Sequence, residues 1–289
     1  MSFFEKDRQG RRPFRDHDVT DLPMVTILSI VACLSYFWAF GMNDGSSIPN
    51  ELAKVWTQDS VEIWKGSYWT LVTSVFVHER LFHILFNLYW LWIFGAAFER
   101  AVGSAKFFGF VVVSGFVSSS YQLAFSDNAG IGFSGVNYAF FGFMWVTRYY
   151  FSSFRGVLSD GVINLMFIWL FACIAISYLG ILPIGNAAHF SGFLFGWAVG
   201  AIYIIHKKKD LIIPGFVVFM ALSVVTLFWC PWSLRWSAMK AYDAHEAGRY
   251  EEALHHYDRI IRWHDDGWAK SNRQILLLEM DVQKKLEGE

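Results

Sequence analysis

The sequence predicts an all-α membrane protein: a bundle of seven apolar spans followed by a polar helical tail. Three observations lead there. Of 289 residues, 55% are hydrophobic and only 17% charged, with a mean hydropathy of +0.34, against roughly 45–50% apolar and 25% charged in a soluble domain. The charges are also unevenly placed. Of the 24 Lys and Arg and 25 Asp and Glu, 10 fall in residues 1–23 and 20 in 231–289, which leaves 19 for the 207 residues between. Finally, seven apolar stretches, 24–43, 81–98, 107–126, 128–147, 162–179, 187–206 and 211–230, reach or approach the ~20 helical residues that cross a bilayer core of ~30 Å.

Residues 1–23 are long and charged, with no small-residue cleavage site after the first apolar run, so they read as a cytoplasmic tail and not as a cleaved leader. Lys6, Arg8, Arg11, Arg12 and Arg15 set the orientation. With that tail inside, the even-numbered connections should also be basic. They carry Arg100 and Lys106, then Arg148 and Arg155, then Lys207, Lys208 and Lys209. The opposite connections hold Asp44, Glu51, Asp59, Glu62 and Asp127. Seven spans then leave the C-terminus outside. The cluster His206 to Lys209 reads as an anchor at the inner surface. The short tail and compact chain suggest a bacterial inner membrane.

The connection 44–80 interleaves Trp56, Trp64, Tyr68, Trp69 and Phe76 with Lys and Glu, which suits a partly inserted loop at the membrane–water interface. Stretch 128–147 carries Asn128, Gly130, Gly132, Gly135 and Asn137 and makes a poor lipid-facing helix, so it should be buried among the others. Gly180, Pro183, Gly185 and Asn186 form a turn between the fifth and sixth spans. The tail 231–289 predicts two amphipathic helices within 238–257 and a third over about 268–286. The first two resemble one tetratricopeptide repeat through Gly248, Tyr250, Ala253 and Tyr257, with Ile260 where a small residue is usual. One repeat cannot bury its own face. The tail must therefore dock on the membrane domain or on a partner protein.

The net charge of −1 offers no basic surface to nucleic acid. Cys33, Cys173 and Cys230 lie in apolar stretches without metal spacing or a disulfide framework. No metal and no cofactor is expected.

Polar groups at membrane depth are costly and mark function. Four stand out: His83, Asn87, Ser134 and His189. His83 and Asn87 share a helix face, one turn apart. Ser134 lies in Gly132–Phe133–Ser134–Gly135, where flanking glycines admit close backbone approach. His189 is followed by Gly192, Gly196 and Gly200, a smooth face against which another helix can press. If that helix carries Ser134, His189 can reach the hydroxyl. A channel or transporter would instead need a polar stripe along several spans and inverted repeats, and neither is visible.

These residues match a family pattern. His83–Ile84–Leu85–Phe86–Asn87, Gly132–Phe133–Ser134–Gly135 with Tyr138 and Gly142, and His189 with Gly192 and Gly196 fall on the second, fourth and sixth spans. Over about 24–206 the chain resembles the rhomboid intramembrane serine proteases. The resemblance implies a six-helix catalytic domain over 24–206; the seventh transmembrane helix over 207–230 and the extracytoplasmic tail over 231–289 extend beyond that six-span core. It implies Ser134 as nucleophile, His189 as general base, and His83 and Asn87 as oxyanion donors beside the Ser134 backbone N–H. Tyr138 would hold the His189 ring, and Ala188 and Gly192 with the Gly132–Gly135 region would leave room for a small substrate residue. Substrates would be transmembrane proteins, cut near the outer face through a water-filled cavity. The first loop departs from the family, with Tyr68–Trp69–Thr70–Leu71 where a Trp-Arg pair is usual. His78 matches a recurrent family His and reads as a structural hydrogen-bonding group. The alternative is a catalytically silent relative that binds membrane clients; silent relatives typically lose the Ser or the His, and both are present here.

Overall fold

A computed structural model describes residues 22–37, 55–204, 209–264 and 266–288. The basic residues Lys6 to Arg15, the end of the first apolar stretch beyond residue 37, Asp44, Glu51 and the connection His206–Lys208 lie outside the described residues. Within them all regular structure is helical: α1 (Pro23–Tyr36), the short α2 (Ser60–Trp64) and α3 (Thr70–Thr73), then α4 (Leu81–Val102), α5 (Ser104–Ser126), α6 (Ser134–Thr147), the short α7 (Ser152–Val157), α8 (Asp160–Tyr178), α9 (Asn186–Ile204) and α10 (Lys209–Val225). The tail is α11 (Leu234–Glu246), α12 (Tyr250–Trp263) and α13 (Gly267–Glu287). By length and composition α4, α5, α8 and α9 can each cross a membrane; α1 and Ile212–Val225 are shorter apolar helices.

The centre of the bundle is α5, α6 and α9. Of the 14 residues of α6, all from Gly135 to Met144 are buried, and Thr147 with them. The burial expected of this stretch is observed, but its expected length is not. The helix starts only at Ser134, because Gly130 (φ +71°) and Gly132 (φ +95°) hold the left-handed backbone that ends helical geometry. Residues 127–133 are a loop, and 14 helical residues span only ~21 Å of a ~30 Å hydrocarbon layer.

Glycines bring α9 against α6. A Cβ on Gly192 would lie 2.1 Å from the Gly135 carbonyl oxygen, one on Gly196 1.9 Å from that of Ala139, and one on Gly142 2.2 Å from that of Phe193. The two backbones touch directly, as the Gly192–Gly196–Gly200 spacing predicts. On α5, Ser114, Ser118 and Ser120 are buried and donate to the carbonyls of Val111, Ser114 and Phe116, which keeps a polar-looking face satisfied within its own helix. Phenylalanines fill the remaining core, with Phe140 against Phe98, Phe107 and Phe110.

Glu99, fully buried at the end of α4, closes the opposite end of the bundle. Its carboxylate accepts from the backbone N–H of Met24 (3.1 Å) and Val25 (3.0 Å) and from Ser104 Oγ (2.6 Å). It thereby caps the start of α1, whose own N-cap Leu22 has no side-chain acceptor. Within α4 the residues Leu91–Gly95 take a wider π turn.

The tail docks on the membrane domain, one of the two expected solutions. Trp236 and Met239 of α11 join Ile63, Trp64, Leu71, Leu123 and Ala124 in one apolar cluster. Trp64 Nε1 donates to the Thr226 carbonyl (3.2 Å), Trp232 Nε1 to that of Ala124 (2.8 Å), and Ser233 Oγ to the Asp127 carboxylate. The docking face is the end of the bundle where α5 stops and α6 begins.

Candidate active site

Ser134 opens α6 and His189 lies in the first turn of α9. Both sit where the glycine contact brings the two helices together. His189 Nε2 is 2.8 Å from Ser134 Oγ. For Nε2 to accept the hydroxyl proton, the ring hydrogen must be on Nδ1. That Nδ1 is buried with no hydrogen-bond partner among the described residues, so none of their carboxylates stands behind the imidazole. The Tyr138 ring lies 4.8 Å from the His189 ring, tilted by 36°, and its hydroxyl donates to the Met166 carbonyl at 3.4 Å. Tyr138 is thus tied to α8 while its ring lies against the imidazole.

Gly132 meets His83. A Cβ there would lie 2.6 Å from His83 Nε2, so only glycine satisfies both the positive φ and the space. Its N–H donates to the Ser74 carbonyl (3.1 Å), fixing the loop before the serine to the turn before α4. His78 reinforces the same junction. Its Nδ1 faces the Phe76 carbonyl (3.1 Å) and its Nε2 accepts from the Phe133 N–H (3.3 Å). Burial first, and the neighbouring His83 second, push the His78 pKa down to about 3. This ring stays neutral and structural, as the sequence suggested.

Asn87 is buried one turn below His83 and donates through Nδ2 to the His83 carbonyl at 2.9 Å. Gly135 and Gly192 are taken up by the helix contact: Gly192 faces the Gly135 carbonyl, and a Cβ on Gly135 would lie 2.7 Å from Ser118 Cβ. The Ala188 N–H donates to Gln122 Oε1 at 3.1 Å.

Sequence reasoning passed over three groups: Gln122, which ties α5 to the start of α9; Asn137, which reaches from α6 to α4; and Glu99. Each is a buried polar side chain, Gln122 and Asn137 within apolar runs and Glu99 at the end of one. The rule that singled out Ser134 and His189 applies equally to Gln122 and Asn137.

Fold and site together describe a polytopic helical membrane protein with a serine and a histidine in hydrogen-bond contact. Residues 65–206 match the family of the Rhomboid domain. The chain is 31% identical over 185 residues to the rhomboid protease GlpG of Salmonella choleraesuis (strain SC-B67), and to the same degree to those of Salmonella paratyphi A and Salmonella newport. Each match covers 64% of this chain, which spans about 65% of the length of these relatives. The Rhomboid domain over residues 65–206 and these relatives support a protein of the rhomboid family.

Proposed function

We propose that the chain is an intramembrane serine endopeptidase that cuts transmembrane substrates near the outer membrane face, and that residues 24–206 carry the activity. The single observation behind this reading is the 2.8 Å contact between Ser134 Oγ and His189 Nε2. His189 takes the Ser134 hydroxyl proton as Oγ bonds to the scissile carbonyl carbon. The tetrahedral oxyanion is held by Asn87, His83 and the Ser134 N–H, one such donor typically contributing about 10²–10³ in turnover. The C–N bond then breaks, and His189 passes the proton to the leaving amine. Water adds to the acyl ester by the same proton route and frees Ser134. Gly132, Gly135 and Ala188 leave room for a small residue at the cleaved bond, and Gly192 keeps α9 close enough for His189 to act.

The short α6 supports this reading physically. A nucleophile at the start of a ~21 Å helix lies below the membrane surface, yet faces a loop end that water can reach. In our reading α1 and α10 complete a seven-span topology with the N-terminus inside a bacterial membrane and the tail, TPR-like in its first two helices, outside.

The test mixes detergent-solubilised protein with a single-span substrate and compares wild type with Ser134→Ala and His189→Ala. Wild-type cleavage is expected to fall by at least about 10³-fold in either variant. A Ser134→Ala protein that cuts normally overturns the mechanism. A folded wild type that captures substrate without cutting it points to a client-binding relative instead.

A further inference from the structure

Asn137 lies on α6 between the serine and the core, and its side chain reaches across to Asn87 on α4. Its Nδ2 is 3.0 Å from the Asn87 backbone oxygen and 3.4 Å from Asn87 Oδ1. The orientation follows from chemistry. A backbone oxygen only accepts, so the atom that Asn137 turns toward it is the NH2. That same NH2 then faces the Asn87 side-chain oxygen and defines which end of the Asn87 amide is which. Asn87 Oδ1 points at Asn137, and Asn87 Nδ2 gives one hydrogen to the His83 carbonyl. Its second hydrogen is the one left for a ligand. Were the amide flipped, an acceptor oxygen would stand where an oxyanion donor is needed.

Asn137 is 3% exposed, and its own Oδ1 has no partner among the described residues. An apolar side chain in its place would remove that buried orphan, so fold stability alone does not account for an asparagine here. The Asn87 backbone oxygen is also shared: it accepts from the Leu91 N–H, where α4 passes into its π turn. Asn137 therefore holds both the backbone and the side chain of Asn87 at one point.

We propose that Asn137 is a positioning residue for the oxyanion site, locking the Asn87 amide with its N–H toward the carbonyl of the bond being cut. This rests on the protease reading above. Asn137 touches no reacting atom; it acts through Asn87.

The test measures kcat and KM for wild type, Asn137→Val, Asn87→Ala and the double variant. Asn137→Val should lower kcat about 10-fold, within the range for one oxyanion donor, with KM nearly unchanged. In the Asn87→Ala background the same substitution should have no further effect on kcat. Asn137→Asp keeps the volume and puts an acceptor against the Asn87 oxygens, so it should lower kcat at least as far; it carries the test if Asn137→Val does not fold. An unchanged kcat in either folded variant, or the same 10-fold fall with and without Asn87, overturns the proposal while leaving the protease reading standing. A wild type as silent as Ser134→Ala would take both down.

Discussion

Two contacts in this molecule join helices by opposite means. Between α6 and α9 the backbones meet through Gly142, Gly192 and Gly196 with no side chain between them. Between the tail and the first connection, Trp64, Trp236 and Met239 pack side chain to side chain, with one ion pair beside them. The first contact sets where Ser134 and His189 stand relative to each other. The second covers an apolar patch and tolerates adjustment. Precision is found where backbone atoms touch, because no rotamer can absorb an error there.

The comparison breaks most readily at Gly196. Gly196→Val would drive a branched side chain into the Ala139 carbonyl, and should cost about 3 kcal/mol or more and abolish cleavage. As a control, Gly215→Ala on α10, where a Cβ meets nothing within 4 Å, should be neutral or stabilise by up to about 1 kcal/mol. Thermal unfolding in detergent reads both; equal effects at the two positions would erase the contrast.

A medium-sized effect separates the two contacts by pH. His256 of α12 is buried, its ring 5.7 Å from that of Trp236 in the docking cluster. Burial, then the charges of Arg259, His255 and Lys240 against that of Glu252, push its pKa down to about 4 from 6.5. The folded tail thus prefers the neutral ring. Its contribution is complete above pH 6.5 and is lost as pH falls from 6.5 through 4, by up to about 1.4 kcal/mol per pH unit. Limited proteolysis of the tail should accelerate over that window in wild type and much less in His256→Phe. An identical pH response in both would remove His256 from the account.

The smallest effect belongs to the ion pair between Lys65 and Asp243, 3.6 Å apart and partly exposed on both sides. Lys65→Ala should loosen the tail by no more than about 0.5 kcal/mol and leave hydrolysis of a small peptide unchanged. A loss of several-fold in hydrolysis would show that the tail contact reaches the active site after all.

Much of this was legible in the sequence because the membrane leaves few options. Apolar stretches of bilayer length must be helices. His189 stood out because imidazole is rare in these spans, and Ser134 through Gly132 and Gly135 beside it. The glycine spacing in 192–200 announced a close helix contact before the partner helix was known. Other features stayed hidden. Gly130 and Gly132 shortened α6 through φ angles that the apolar character of 128–147 masks. Glu99 reads as the charged end of a span, and its role as a cap for α1 depends on a helix start 75 residues away in sequence.

The sequence alone determined the class of protein, the candidate pair and the helices that carry it, since hydrocarbon solvent ties composition directly to secondary structure. Only the tertiary structure decided which polar atoms meet: Nε2 of His189 with Ser134, Nδ2 of Asn137 with Asn87, and Trp64 with the carbonyl before the tail. Hydrogen bonds form over about 3 Å between groups set by helix rotation and packing, and a one-dimensional pattern carries no information at that scale.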